Sequence, residues 1–409
     1  MFRILATLLI SSTLFAKLNV PTTIPYVYLV DLDSGKVLYE KNSNELIYPA
    51  STTKIATALY ILSKEIELDT IITCGSGNRK TLARISPKKK VANHFTDAPY
   101  LLEYDGVFFG LKYGEEFSLR DLLFALMLSS GNDVANVLAE YISGDIETFC
   151  KELNDYMKEI GATRTHFMNP HGLHHPEHVS TPRDMVLLGK KALEHPFLQT
   201  VVSTAMYSIG ETNKHGPRDI TQGNKLLKKG SFYYPKAIGV KTGNHLRAGK
   251  CLVGAAKTEK RALLGSFFKA KDWNELYGDT IALMDAAFRE KIIKRYLFRG
   301  GEASFFYTLN KEKIRADLLE DIQMEYYPSE EPNLSTALVW NALTLPIREK
   351  EVIGYIRVYD DDTLIREVPL HAHREYKKKN SPLFWGILII LACSAIYPIV
   401  KRLQAYQTR

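Results

Sequence analysis

PASTTKIATALYIL, residues 49–62, is the stretch on which the reading of the chain turns. Pro49 marks a helix start, and from Ser51 onward Ile55, Ala58, Leu59 and Leu62 recur at helical spacing. A helix carries residues i and i+3 on one face, so the Lys54 amine can stand beside the Ser51 hydroxyl and take its proton. Alone the pattern is weak, because at average composition Ser-x-x-Lys turns up roughly once or twice in a chain of this size. It recurs at Ser86–Lys89 in loop-like surroundings and at Ser266–Lys269 at a strand end.

Two further elements strengthen it. In LMLSSGNDVANVLAEYISG, residues 126–144, a helical pattern is interrupted at Ser130-Gly131-Asn132. A hydroxyl and an amide projecting from such a break can reach into a cleft. The similar Ser76-Gly77-Asn78 lacks flanking helices. Lys241-Thr242-Gly243 occurs once, at the end of the strand pattern AIGVKTG, where glycine lets a substrate backbone lie close to the strand edge.

Outward from these, YVYLVDLDSGKVLYEKN (26–42) reads as a hairpin about Asp33-Ser34-Gly35-Lys36. Residues from about Cys74 to Glu116 read as long loops, with Lys88-Lys89-Lys90 as a solvated run. Helices are expected over Leu119–Gly144 with its break, Phe149–Ile160, Thr181–Leu193 and Leu276–Phe288. AIGVKTG, KCLVGAA and RALLGSFF read as strands. Strands at both ends of the segment with helices between predict an α/β (α+β) domain, one mostly antiparallel sheet packed against helices, over residues 20–290. A second, β-rich domain is expected over 294–373, followed by a polar linker at 374–382.

The ends point out of the cytoplasm. MFRILATLLISSTLFA (1–16) has the basic start, short apolar run and small final residue of a secretory signal peptide. LFWGILIILACSAIYPIV (383–400) carries no charge on any face and reads as a membrane anchor helix. Together they predict a catalytic part on the outer (periplasmic) face of the cytoplasmic membrane. The 409 residues are 45% apolar, which argues against disorder, and the net charge of +7 is too scattered for nucleic acid to be a partner. Of four cysteines, Cys74, Cys150 and Cys251 lie outside the apolar run without CxxC spacing, so buried thiols are expected.

In order, Ser-x-x-Lys, Ser-x-Asn and Lys-Thr-Gly are the motif set of penicillin-binding proteins and class A β-lactamases. With PASTTKIATALYIL, LMLSSGNDVANVLAEYISG, MNPHGL (168–173) and GVKTG followed by AGKCLV (248–253), the chain resembles the low-molecular-mass D-alanyl-D-alanine carboxypeptidases, peptidase family S11, over about Tyr26–Phe288. REKEVIGYIRVYDDDTLIREVPL (348–370) resembles that family's C-terminal β domain. The resemblance implies the serine penicillin-binding/β-lactamase-like transpeptidase fold, no cofactor or metal, a peptidoglycan stem peptide as substrate and β-lactam inhibitors. It implies Ser51 as nucleophile, Lys54 as general base and Ser130 as proton relay to the leaving amine. Asn132 would hold the substrate amide, and Lys241 and Thr242 the terminal carboxylate beside Gly243. The backbone N–H groups of Ser51 and Asn244 would form the oxyanion hole.

The chain departs from the family at His245, where threonine is usual. Lys269 and Lys271 are the candidates for an extra basic residue toward the carboxylate. A β-lactamase would need a base for the deacylating water, and no Glu-x-x-x-Asn pattern lies between Asn132 and Lys241. A D,D-endopeptidase would share the site, and a catalytically weak peptidoglycan-binding scaffold would retain it. His166, His171, His174, His175 and His178 crowd one loop without an acidic partner pattern, so turn formation is expected there and not a metal site. Asp133 and Asp184 are expected to serve helix ends.

Overall fold

The computed structural model describes residues 3–8, 17–75, 77 and 80–378. The apolar run 383–400 lies outside the described residues, as does the expected signal segment except for Arg3–Leu8. Among the described residues no helix is long and apolar enough to cross a membrane. The chain divides into two compact units, one spanning 16–291 with 328–330, the other holding 292–327 and the residues from 331 on, with 1–15.

In the larger unit five antiparallel strands form one sheet in the order Ala237–His245, Gly249–Lys257, Ala262–Ala270, Tyr26–Asp31, Val37–Lys41. The N-terminal hairpin thus joins strands more than two hundred positions later in the sequence. Alternate side chains face opposite sides of a sheet, and here both sides are covered. Leu252, Leu263 and Phe267 pack under the helix Trp273–Arg289 with Leu276, Tyr277 and Met284. Val253, Leu264 and Phe268 face the other way, into a core shared with Ile55 and Leu59 and with Met185 and Leu188 of the helix Pro182–Glu194. That two-sided burial explains why RALLGSFF is apolar almost throughout.

Local chemistry sets the helix starts. Thr181 accepts the Asp184 N–H, with Pro182 at the first helical position. Asp184 also takes the Arg164 N–H and the Thr165 hydroxyl. The expected break is present: a wide turn over Ala125–Ser129 leads to Ser130 at φ 62°, after which the helix Asn132–Ser143 begins.

Two expectations need correction. Lys88–Lys90 is not a solvated loop, since it lies in a short helix, Pro87–Ala92, with Lys90 buried against the Glu103 carboxylate at 3.0 Å. An ammonium can leave water there because a carboxylate waits for it. Asp133 does more than serve a helix end. Its buried carboxylate accepts the N–H groups of Phe109, Gly110 and Leu111, fastening the long segment before it to the start of the helix. The thiols of Cys74, Cys150 and Cys251 are free and buried, and burial pushes each up to about 12.

The smaller unit is built of strands. Ser304–Leu309, Glu312–Leu318, Thr363–Ala372, Val352–Asp360 and Leu334–Trp340 form an antiparallel sheet, with the backbone of Arg3–Leu8 beside the last. Ile314, Leu318, Ile356, Val358, Val368 and Leu370 form its core.

Candidate active site

The nucleophile turn begins with Ala50 at φ 48°, followed by a tight turn over Ala50–Thr53 and the helix Lys54–Leu62. A β-carbon residue in the left-handed region is held by its surroundings, and here they are specific. Thr52 donates its hydroxyl to Pro49 O at 2.6 Å, and Thr53 donates to Ala50 O at 2.8 Å. Two glycines press against the same turn from other segments. A β-carbon on Gly172, at φ 91°, would stand 1.9 Å from Ala50 O. One on Gly243 would stand 2.9 Å from Pro49 O and 3.1 Å from Ser51 N. The Lys-Thr-Gly strand therefore lies directly against the Ser51 backbone.

Lys54 is fully buried. Its Nζ lies 3.1 Å from Ser51 Oγ, 2.7 Å from Asn132 Oδ1 and 2.7 Å from His171 O. The last two partners can only accept, so they use two N–H groups. In the neutral amine this leaves the lone pair for the Ser51 hydroxyl proton. Burial first, then the positive charge of Lys241, hold the Lys54 amine well below the usual lysine range, against an opposing pull from Asp133. The same arrangement that fixes the amine in place thus makes it a base.

Lys241 is also fully buried, and desolvation brings it down to about 7. Its Nζ donates to Thr242 O at 3.2 Å. Thr242 faces Gly223, whose N–H in turn donates to Leu128 O at 3.1 Å. The strand and the Ser130 turn are thereby tied through one glycine. Ser130 Oγ is buried and, among the described residues, has no hydrogen-bond partner. Asn244 is exposed, accepting from Lys250 Nζ at 2.8 Å.

The competing motifs fall elsewhere. Ser86 precedes the short helix Pro87–Ala92, and Lys89 is exposed. Ser266 is buried with its hydroxyl on Pro182 O, and Lys269 is exposed. Ser76 and Asn78 lie outside the described residues.

The histidine loop is a wall of this site, which residue-type reasoning missed. His171 supplies the carbonyl that holds Lys54. Its Nδ1 accepts the Leu173 N–H and its Nε2 reaches Tyr100 O at 3.1 Å. His178 meets Thr53 Oγ1 at 2.8 Å and accepts from Met168 N. Burial pushes both rings well below the usual histidine value, so they stand neutral beside the two amines. The only sequence signal for this was MNPHGL. Glu103, whose Oε2 lies 3.8 Å from His245 Nε2, left no signal.

With this geometry in view, the sequence profile of peptidase family S11, D-alanyl-D-alanine carboxypeptidase, matches residues 24–271. The chain belongs to that family. It is 28% identical over 365 residues to the D-alanyl-D-alanine carboxypeptidase DacF of Bacillus subtilis, covering 86% of this chain and 85% of the relative. Against DacC of Escherichia coli the identity is 33% over 263 residues, 64% of this chain and 60% of the other. The crystal structure of the Streptomyces K15 DD-transpeptidase superposes with a TM-score of 0.56 at 26% identity, over 66% of this chain and 98% of that one. DacD from Francisella tularensis, at 21% identity and a TM-score of 0.59 over 90% of this chain and 97% of its own, shows the shared fold. This S11 chain is accordingly a serine-type hydrolase with a mixed helix and sheet fold of the DD-peptidase kind.

Gly172→Ala tests how closely the S11 nucleophile turn is packed. The added carbon meets Ala50 O, and a loss of about 3 kcal/mol is expected in urea denaturation, with slowed acylation by penicillin. Gly161→Ala is the control, at φ 95° with only Leu187 nearby at 3.7 Å. It should cost about 1 kcal/mol and leave acylation unchanged.

Proposed function

We propose that this cleft removes the terminal D-alanine from peptidoglycan stem pentapeptides through an acyl-enzyme on Ser51. The observation that carries the reading is the Lys54 amine, desolvated and 3.1 Å from the Ser51 hydroxyl. Ser51 Oγ attacks the carbonyl between the last two D-alanines while its proton passes to Lys54. The developing oxyanion is held by the backbone N–H groups of Ser51 and Asn244, an interaction worth about 3 kcal/mol per donor in comparable sites.

Ser130, whose buried Oγ has no hydrogen-bond partner among the described residues, relays the proton to the departing amine. Lys241 and Thr242, beside Gly243, receive the terminal carboxylate, a charge-assisted contact that selects a free D-alanine end. Asn132 holds the donor amide. Water then releases the acyl group from Ser51. A β-lactam presents the same carbonyl and carboxylate and acylates the same oxygen.

The chain acts, in this reading, outside the cytoplasm. Residues 1–16 direct export, and Leu383–Val400 anchors the protein in the cytoplasmic membrane with the catalytic unit on the outer face. The support is the charge-free run and the short apolar leader. In fractionated cells the full chain should sediment with membranes, and a chain ended before Pro382 should be released on opening the envelope. Retention of the shortened chain in the cytosol would refute the placement.

Fluorescent penicillin should label the protein covalently. Ser51→Ala should abolish the label and pentapeptide cleavage, while Ser86→Ala and Ser266→Ala keep both. D-Alanine release from pentapeptide, with cross-linked dimer left whole, is the expected outcome. Cleavage of the dimer alone would make the protein an endopeptidase, and rapid turnover of penicillin would make it a β-lactamase.

A further inference from the structure

A second cavity, of about 520 Å³, opens between the helix Ile146–Glu159 and the segments around Tyr100 and Phe167. That is the size of a small-molecule site. Ser51, Lys54, Ser130 and Lys241 take no part in its lining, so it is separate from the cleft. Its lining is mainly apolar, and Tyr100, Cys150 and Phe167 are the buried residues within it that carry the largest apolar surface.

One face of the helix gives the cavity its rim. Glu147, Lys151, Asp155 and Lys158 recur there at three- or four-residue spacing, and all are exposed. Lys158 donates to Asp155 at 3.1 Å. Glu147 is engaged by Tyr100, whose phenol is pushed up by burial first and then by the Glu147 charge and hydrogen bond. Lys151 makes no ion pair among the described residues. An aromatic interior with one uncommitted cation at its mouth is complementary to an aromatic anion.

The other walls reach the catalytic groups through hydrogen bonds. Asn154 clamps Phe167 from the helix, donating to its O at 2.9 Å and accepting from its N at 2.7 Å. The next residue, Met168, donates its N–H to His178 Nδ1 at 3.0 Å, and His178 Nε2 meets Thr53 Oγ1 at 2.8 Å on the nucleophile turn. Tyr100 O meets His171 Nε2 at 3.1 Å, and the His171 carbonyl accepts from Lys54. A body wedged between Tyr100 and Phe167 therefore presses on the supports of both Ser51 and Lys54. We propose that this cavity is a second ligand site that takes a small aromatic carboxylate, with its ring between Tyr100 and Phe167 and its charge at Lys151, and that occupancy slows acylation of Ser51. The binding goes beyond the carboxypeptidase reading, whereas the slowing rests on Ser51 as the acylated residue.

The test titrates naphthoate and its uncharged amide, naphthamide, into the full chain in detergent by calorimetry, against a detergent blank. Naphthoate should bind once per chain, and in Lys151→Glu its Kd should rise about tenfold while that of naphthamide changes less than about twofold. Protein already acylated by penicillin should still bind naphthoate. Labelling by fluorescent penicillin should slow about threefold at saturating naphthoate in the wild type, and not at the same concentration in Lys151→Glu. Labelling of that variant without ligand is the check on its folding. No naphthoate binding, an affinity unchanged in Lys151→Glu, or binding blocked by prior acylation overturns the site. Binding that leaves the labelling rate unchanged overturns the coupling. If no sample takes up penicillin, the reading of Ser51 fails, and the Lys151 comparison still decides the site.

Discussion

Three lysine amines, Lys54, Lys90 and Lys241, have been taken out of water, and the site depends on how each is held there. Lys54 has a hydroxyl and two fixed oxygen acceptors around it and, among the described residues, no carboxylate within hydrogen-bond distance. Lys90, also buried, is held by a carboxylate at 3.0 Å. The contrast decides what each lysine can do. The carboxylate beside Lys90 makes it one half of an ion pair that fastens a loop, whereas burial without a carboxylate partner drives the Lys54 amine toward its neutral form. Lys241 reinforces the effect, because its charge disfavours a second charge on Lys54.

Holding an amine this way requires backbone brought closer than side chains allow. Gly172 and Gly243 arrive from different segments to press on Pro49, Ala50 and Ser51, and Gly223 ties the Ser130 turn to Thr242. The hydroxyls of Thr52 and Thr53 fasten the turn from within. Ala50 is thereby kept in a backbone conformation that few residues other than glycine adopt. The geometry of the nucleophile is thus imposed from outside its own helix, and the five-stranded sheet is the frame that brings those segments together.

Much of this was legible in the letters. Ser51, Lys54, Ser130, Asn132 and Lys241 to Asn244 sit in short local patterns, and local patterns survive reading one residue after another. The hairpin at Asp31–Val37 and the helix start at Thr181 were equally local, and Pro49 marked the start of the turn that leads into the helix Lys54–Leu62. What could not be read was pairing over distance. Lys90 looked like one of three solvated lysines, because nothing near it announces that Glu103 will be buried beside it. Asp133 looked like a helix-end residue, because the three amides it gathers lie more than twenty positions upstream. His171 works through its carbonyl, which every residue has and no side-chain pattern can flag.

The central claim is that burial and the Lys241 charge keep Lys54 neutral and able to accept the Ser51 proton. Its most direct test is the titration of the Lys54 side chain by NMR in protein carrying carbon-13 at the lysine ε position. The account predicts a midpoint well below the ordinary lysine value, moving upward in Lys241→Met as the neighbouring charge is removed. A Lys54 signal that stays charged until the pH at which exposed lysines titrate would contradict it.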